Sequence, residues 1–462
     1  MFQFNLDKQI HVHFVGIGGI SMSGLAELLL SRGFTVSGSD MKESDLTRAL
    51  QAQGARISFP QSADNIKDGI DLAVYTAAIH PDNPELQEIK RREIPTLTRA
   101  QLLGQIMKSY RMPVAVAGTH GKTTTTSMLS EILMAADTDP TLSIGGILPS
   151  IGGNFRVGGK DFFVTEACEY TNSYLSFFPK LSIILNVDAD HLDFFKNIEA
   201  IRDSFHHFAS LLPEDGTLII NGETEGFEAV TEGLSCRIIT YAAKGNDTDF
   251  DYIARDIQFD DTAHPSFHIY NKGKDLGEFH LSVPGIHNVG NATAATAAAL
   301  ELGIDVEIIR KSLEAFHGSE RRFEKKGVWN GVTVIDDYAH HPTEIKATLA
   351  AAQKCPHKTL WVVFQPHTYS RTKALLPEFA EALCGADRVV LPDIYPARET
   401  DTLGMSSALL ADEIRKRGGV ADYFDSFEKI ENFLKDNCIN DDMLITMGAG
   451  DVYLIGENLL SR

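Results

Sequence analysis

The sequence has 462 residues, five cysteines and a formal net charge of −21, with 43% apolar and 23% charged residues. At roughly 100–200 residues per domain this length predicts two to four domains, and the composition excludes disorder, collagen and coiled coil as the main organisation. The acidic balance disfavours nucleic acid as a partner, and no apolar run is long enough to span a membrane. The scattered cysteines and the absence of a secretory signal favour a reducing compartment, so we expect a cytoplasmic enzyme.

Residues 1–110 alternate short apolar runs with amphipathic stretches, which predicts βαβ units around a parallel sheet. Strands are expected at 11–16, 35–39 and 70–76, and a helix at about 98–110. The segment GIGGISMSG at 16–24 follows the first strand and Asp40 ends the second, as in a dinucleotide-binding turn, although Ser21 replaces the third glycine of that pattern. Two interpretations stay open here: an NAD-dependent oxidoreductase, and a packed turn that binds nothing.

The strongest signal is GTHGKTTTT at 118–126, directly after the apolar run VAVAG. Phosphate groups need backbone N–H donors at a helix N-terminus, a glycine turn that admits them, a lysine charge and a hydroxyl for Mg²⁺. This segment supplies all of them. The pattern therefore predicts a phosphate-binding loop made of Gly118, Thr119, His120, Gly121, Lys122, Thr123 and Thr124.

Acidic and histidine side chains follow two further predicted strands of the same domain. Glu166 ends the run FFVTE and Glu169 follows it, and Asp190 and His191 come after LSIILNV. Because ligands bind at the carboxyl ends of parallel strands, these groups indicate a Mg²⁺ site, although histidine is a less usual ligand for that ion. The short runs TLII, RIITY, DYIARDIQF, SFHIY and EFHLSV between 217 and 283 predict antiparallel hairpins appended to the sheet.

The last third of the chain alternates again and predicts a third doubly wound unit. It contains the segments ERRFE at 320–324, DDYAHHPTE at 336–344 and QPHTYSRT at 365–372. Two histidines beside an acidic pair are compatible with a metal site, a general base or a helix cap, and their spacing does not decide among these. Arg321, Arg322 and Arg371 are candidate clamps for phosphate or carboxylate, or surface arginines.

These motifs occur together in a fixed order. GIGGISMSGLAE, GTHGKTTT, NVDADH, HNVGNATAA, ERRFE, DDYAHHPTE and FQPHTYSRT follow one another along the whole chain, which thereby resembles the Mur ligase family. The resemblance and the strand pattern together predict an α/β protein of three domains. We expect a Rossmann-like UDP-sugar-binding domain over 1–110, a central P-loop ATPase-like parallel sheet with an antiparallel appendage over 111–318, and a C-terminal Rossmann-like doubly wound domain over 319–462.

The resemblance implies a reaction: ATP-dependent ligation of L-alanine to the lactyl carboxylate of UDP-N-acetylmuramate through an acyl phosphate, with release of ADP and phosphate, in peptidoglycan precursor synthesis. A family member that attaches recycled tripeptide to UDP-N-acetylmuramate is the alternative within the family. The implied cofactors are ATP and two Mg²⁺ ions, with Mn²⁺ as a substitute, and the protein is expected as a monomer or dimer. Thr368 stands where many members have arginine, so glycine and serine stay open as acceptors.

The resemblance also implies roles for individual residues. Catalysis would rest on Lys122, Glu166, His191 and His340, and the metal ions on Thr123, Glu166 and His191. ATP would contact the phosphate-binding loop together with His287, Asn291, Arg322 and Asp337. The UDP-sugar would contact Gly18, Gly19, Asp40 and Thr76, and the amino acid would contact Tyr338, His340, His367 and Arg371.

Overall fold

A computed structural model of the chain describes residues 2–76, 79–191, 194–243, 249–397, 399–401 and 403–461. The chain divides into two compact units. The first comprises residues 1–186, 202–239 and 298–304, and the second comprises 187–201, 240–297 and 305–462. None of the helices in the described ranges is long and apolar enough to cross a membrane.

The first unit opens with a parallel sheet of five strands within residues 2–76 and 79–111, in the order β3-β2-β1-β4-β5. Its elements are β1 (His11–Val15), α1 (Ile20–Ser31), β2 (Thr35–Ser39), α2 (Asp45–Ala52), β3 (Arg56–Ser58), β4 (Leu72–Tyr75), α3 (Pro84–Arg91), β5 (Thr96–Thr98) and α4 (Arg99–Met107). The strands at 11–16, 35–39 and 70–76 and the helix at 98–110 are confirmed to within a few residues. Because β1 lies between β2 and β4, the turns after these three strands meet at one edge of the sheet.

A second sheet begins directly after the first. Its elements up to the end of the first unit are β6 (Met112–Ala117), α5 (Lys122–Ala135), β7 (Thr141–Leu148), β8 (Gly153–Arg156), β9 (Phe162–Glu166), β10 (Leu181–Ile184), α6 (Ile198–Ala209), β11 (Thr217–Asn221), α7 (Phe227–Thr231) and β12 (Arg237–Ala242). In this part of the sheet β6 pairs in parallel with β10 on one side and β9 on the other. The segments that follow β6, β9 and β10 are therefore neighbours, and they carry the phosphate-binding loop, the acidic run and Asn186.

The second unit carries the C-terminal part of the chain. Its elements are β13 (Tyr252–Phe259), β14 (Pro265–Asn271), β15 (Lys274–His280), α8 (Ile286–Glu301), α9 (Val306–Ala315), β16 (Glu324–Trp329), β17 (Val332–Asp337), α10 (Pro342–Ala352), β18 (Leu360–Phe364), α11 (Tyr369–Ala374), α12 (Leu376–Leu383), β19 (Arg388–Leu391), α13 (Ser407–Lys416), β20 (Ala421–Tyr423), α14 (Phe427–Asn437), β21 (Met443–Met447) and α15 (Tyr453–Leu460). Strands β16 to β21 form a sheet in the order β16-β17-β21-β18-β19-β20. The strands pair in parallel except for the edge strand β16, which is antiparallel to β17, and apolar side chains are buried on both faces of the sheet, as expected when helices cover either side.

The expected antiparallel hairpins are confirmed in part. Strands β13, β14 and β15 pair antiparallel. The expectation is wrong for TLII, which forms β11 parallel to β10, and for RIITY, whose last residues pair in parallel with β13. The reason for TLII is the preceding helix α6, since a helical crossover returns the chain to the starting edge of the sheet and so gives a parallel strand.

Candidate active site

The phosphate-binding loop has the geometry that its sequence predicts. Strand β6 ends at Ala117, Gly118 has a φ of +138°, and Gly121 caps α5 in the left-handed region with a φ of +83°. Only glycine adopts these conformations without strain, and they turn the first N–H groups of α5 outward. The N–H groups at the start of a helix bind anions, so this loop fits the phosphates of a nucleotide.

Asn186 fastens the loop to the neighbouring strand β10. Its side chain accepts a hydrogen bond from the His120 N–H at 2.8 Å and donates one to the His120 carbonyl at 3.0 Å, and its own carbonyl accepts from the Thr119 N–H. Asn186 is the first residue of the motif NVDADH, and no role was predicted for it. Its position directly after an apolar strand of the same domain could have indicated that it contacts the loop.

Lys122 is held over the loop by three acceptors. Its ammonium donates to the carbonyls of Gly118 and Thr119 and lies 3.1 Å from a carboxylate oxygen of Glu169, which is itself buried. Burial disfavours the charge, but attraction by Glu169 outweighs burial and raises the pKa of Lys122. The lysine is therefore a permanent cation at the point where phosphates would sit.

Thr123 and Glu166 are brought together as predicted. The Thr123 hydroxyl donates to Glu166 Oε2 at 3.1 Å, and Glu166 Oε1 accepts from the Gly145 N–H. A hydroxyl and a carboxylate beside a phosphate site are hard oxygen donors, which suit Mg²⁺ when substrate phosphates complete its shell. The described residues contain no group of three or more His, Cys, Asp and Glu side chains arranged to hold a metal by themselves. His191 belongs to the second unit.

The predicted UDP-sugar residues gather at the edge of the first sheet. The Gly18 N–H donates to Asp40 Oδ2 at 2.8 Å, Gly19 caps α1, and Thr76 follows β4. A side chain at position 18 would lie 2.8 Å from that same carboxylate, so the close approach requires glycine. One buried carboxylate was not predicted: Glu85 is fully buried and accepts from the hydroxyl of Ser39, the residue before Asp40, and from Asn65.

The predicted amino-acid residues form one cluster in the second unit. The His340 ring centroid lies 5.4 Å from that of Tyr338 and 6.0 Å from that of His367, and Arg371 Nη1 lies 3.4 Å from His367 Nδ1. Burial lowers the pKa of both His340 and His367 to about 4. Both rings are therefore neutral at pH 7, and each has one ring nitrogen that can accept a hydrogen bond.

Asp190 joins this cluster from the segment after β10. Its carboxylate lies 3.3 Å from Arg371 Nη2, and both side chains are mostly buried. Burial opposes the charge on Asp190, but attraction by Arg371 outweighs it and lowers the pKa of the carboxyl. The next residue, His191, adopts a left-handed φ of +53°, and its N–H donates to Asp190 Oδ1. The guanidinium of Arg371 and the imidazole of His191 therefore both lie beside the Asp190 carboxylate.

The ERRFE and DDY segments are bound to each other at the edge of the C-terminal sheet. Asp337 accepts hydrogen bonds from the N–H groups of Phe323 and Ala339, and burial raises its pKa to about 6 although Arg322 attracts its charge. Arg321, not Arg322, is the residue that ties the segment down, since it pairs with Asp336 and donates to the carbonyls of Gly448 and Gly450. Arg322 has its guanidinium over the Tyr338 ring at 5.1 Å.

His287 and Asn291 lie on α8. Asn291 is buried and donates to Asn288 Oδ1 at 3.0 Å. Their predicted contact with the adenine base stays a prediction.

Comparison with known proteins adds a decisive observation. Residues 11–111 match the model of the Mur ligase family catalytic domain, residues 116–299 match the Mur ligase middle domain, and residues 321–450 match the Mur ligase glutamate ligase domain. This chain belongs to the Mur ligase family. It is therefore an ATP-dependent ligase. The domain boundaries at 110 and 318 stay predictions.

Relatives of this Mur ligase cover its whole length. It is 58% identical over 462 residues to the UDP-N-acetylmuramate–L-alanine ligase of Agathobacter rectalis, with 100% of both chains covered. Its fold is similar to the crystal structure of UDP-N-acetylmuramate-alanine ligase from Thermotoga maritima, at 31% identity and a TM-score of 0.82 over 98% of this chain and 99% of that one. A murein peptide ligase from Psychrobacter arcticus is also similar, at 26% identity and a TM-score of 0.71 over 98% of each chain.

Proposed function

We propose that this Mur ligase joins L-alanine to the lactyl carboxylate of UDP-N-acetylmuramate, with ATP converted to ADP and phosphate through an acyl phosphate. The observation that carries the proposal is the 58% identity, over the full length of both chains, to a relative named for that reaction. The murein peptide ligase is 26% identical. The acceptor is therefore proposed as a free amino acid, and tripeptide is an outcome for the experiment to exclude.

The phosphate-binding loop and the amino-acid cluster supply groups suited to phosphoryl transfer and to binding the amino acid. The amides at the start of α5 and the ammonium of Lys122 would hold the β- and γ-phosphates and offset the charge that grows as the γ-phosphoryl group transfers. His340, whose ring is neutral at pH 7, would accept a hydrogen bond from the alanine nitrogen and orient it toward the acyl carbon. Arg371 would bind the alanine carboxylate, because a guanidinium forms paired hydrogen bonds with that group.

We propose Mg²⁺ as the metal cofactor, with Mn²⁺ as a substitute. Thr123 and Glu166 would hold one ion and His191 the other; when bound, the ions neutralise phosphate charge. The oxygen donors of Thr123 and Glu166 match the chemistry of Mg²⁺. We propose that UDP-N-acetylmuramate binds at Gly18, Gly19, Asp40 and Thr76. The cytoplasmic location and the monomeric or dimeric state stay predictions.

The test is phosphate release from ATP and Mg²⁺ with UDP-N-acetylmuramate and one acceptor at a time: L-alanine, glycine, L-serine or a tripeptide. Release that requires both the nucleotide sugar and L-alanine is the expected result. Release with tripeptide alone would contradict the proposal and favour a recycling ligase. The inactive comparison is Lys122→Ala. It should lower turnover by at least about a hundredfold, because removing one group that stabilises the transition state lowers kcat by about that factor.

A further inference from the structure

A cavity of about 310 Å³ lies in the second unit at the carboxyl ends of β18 and β19, beside the start of α14. Its lining includes the three aspartates Asp393, Asp425 and Asp451, together with Gln365 and Tyr395. The volume is that of a small organic ligand. None of the residues given a catalytic, nucleotide or metal role above belongs to this lining.

The charged groups of the cavity are the carboxylates of its three aspartates, which act as hydrogen-bond acceptors. Asp393 accepts from the Tyr423 hydroxyl at 2.6 Å, and Asp425 accepts from Lys429. Gln365 is only 5% exposed, and its Oε1 has no hydrogen-bond partner among the described atoms. A buried acceptor without a donor is costly, and none of the described lining residues is basic. The chemistry that fits is a cationic donor on an apolar stem, such as the ammonium of a lysine side chain.

Tyr395 stands between this cavity and the amino-acid cluster. Its ring lies on the His367 ring at a centroid distance of 5.7 Å and an angle of 17°. The backbone holds it there, since the Tyr395 N–H donates to the Pro366 carbonyl and the Thr368 N–H donates to the Tyr395 carbonyl. A side chain at Gly450 would approach the ring to 2.9 Å, so this glycine lets the ring pack closely. Tyr395 is thus a fixed wall that contacts His367 and lines the cavity.

We propose that Tyr395 sets the size limit of the amino-acid acceptor, because its ring closes the acidic cavity off from His367. Without the ring, the cavity accepts a basic side chain such as that of L-lysine, whose α-amine still forms the amide bond while phosphate leaves the acyl carbon. Tyr395 thus determines specificity by excluding long side chains, and the cavity aspartates would favour a positively charged side chain over a neutral one. The inference rests on the proposed function, since His367 contacts the acceptor only if the chain ligates an amino acid.

The experiment compares the full-length wild type with Tyr395→Ala and Tyr395→Leu, and with Tyr395→Phe as the control that keeps the ring. Phosphate release is measured with L-alanine, L-lysine and L-norleucine, the last having the four-carbon stem of lysine without its ammonium group. We expect kcat/KM for L-lysine to rise at least about tenfold in Tyr395→Ala over wild type, and to exceed that for L-norleucine, as a new pocket with a charge partner implies. Tyr395→Phe should keep the wild-type order of acceptors.

A double variant tests the charge. In Tyr395→Ala with Asp451→Asn, the preference for L-lysine over L-norleucine should shrink. The proposal is overturned if both ring-deleted variants remain folded by thermal midpoint and L-lysine turnover stays at the wild-type level. Loss of L-alanine turnover in both folded variants would overturn it as well, because the ring would then be needed for the reaction itself. Failure of the wild type with L-alanine would instead refute the proposed function.

Discussion

Lys122 shows how much of one functional residue can be read from local sequence. Its bonds to the carbonyls of Gly118 and Thr119 span four and three residues, so the loop pattern implies them. Its third partner, Glu169, lies 47 residues away along the chain. That ion pair forms because β9 pairs directly with β6, which the sequence did not reveal. The charge state of the lysine is therefore a product of the sheet order.

His191 offers a test of the proposed metal set. Replacing it with alanine removes one proposed ligand, so the Mg²⁺ concentration for half-maximal activity should rise at least about tenfold, since losing even a residue that only hydrogen-bonds to a metal ligand has that effect. His207 is exposed and serves as the matched control in His207→Ala, which should leave the Mg²⁺ dependence as it was. Equal Mg²⁺ curves for the two variants would rule out His191 as a ligand.

The raised pKa of Asp337 implies that the stability of the protein falls as the pH rises. Its pKa is raised to about 6 in the folded protein, from an ordinary value of 3.8. The folded state therefore binds the proton more tightly than the unfolded state, and this residue lowers the free energy of unfolding as the pH rises from about 4 to about 6. The effect amounts to at most about 3 kcal/mol, at 1.36 kcal/mol per pKa unit.

Urea denaturation of the wild type and of Asp337→Asn at several pH values checks this expectation. The difference in unfolding free energy between wild type and variant should decline across that window and be constant above it. If the variant differs from the wild type by the same unfolding free energy at every pH, the two curves are parallel. That result would show that Asp337 does not titrate between about pH 4 and about pH 6 and that the substitution only disturbs its hydrogen bonds.

Helix α4 illustrates packing that a helical sequence pattern does not reveal. Gly104 lies in its middle, and a side chain there would lie 1.9 Å from the Ser176 carbonyl oxygen. In an exposed helix, alanine in place of glycine would stabilise by about 1 kcal/mol. Here the overlap with a rigid backbone group dominates, because a close-packed contact has no room for a methyl group.

Gly104→Ala should therefore destabilise the protein by about 1–3 kcal/mol, the usual cost of overpacking. Gly153→Ala is the control, since a side chain at position 153 meets nothing within 4 Å. It should change the unfolding free energy by less than about 0.5 kcal/mol. Thermal unfolding of the two variants beside the wild type is the measurement, and a more stable Gly104→Ala would refute the close contact.

The sequence pattern predicts where a strand lies better than it predicts the direction in which the strand runs. The run VTVIDD forms β17, and five of its six residues are buried, as is typical of a strand covered on both faces of the sheet. TLII is equally apolar, yet its direction was wrongly expected, since direction depends on the crossover through α6. The residues after β18 form two helices, α11 and α12, instead of one, because Pro377 at the start of α12 lacks the N–H that a continuous helix would require.

The Asp190–Arg371 pair joins groups 181 residues apart and is a property of the tertiary fold. Removing one partner of a buried pair leaves the other charge desolvated. Asp190→Asn should therefore cost about 3–5 kcal/mol, and adding Arg371→Gln should cost less than the sum of the single changes. The exposed pair Lys346–Glu381 is the control, and Glu381→Gln should cost about 0–1 kcal/mol.

Urea unfolding of the four variants and the wild type provides the measurement. Additive effects of Asp190→Asn and Arg371→Gln would mean that the two charges do not interact. A loss in Glu381→Gln as large as that in Asp190→Asn would show that burial does not decide the strength of the pair.

The sequence by itself determined the αβ alternation, the phosphate-binding loop and the order of the family motifs, because these depend on residue types within a few positions of one another. The tertiary structure decided which strands are neighbours and therefore which distant side chains meet. Glu169 reaches Lys122, Asp190 reaches Arg371, and Tyr395 stacks on His367 for that reason. Burial, and with it the shifted pKa values of Asp337 and His340, also depends on the assembled sheets, since a group loses its water only when other elements cover it.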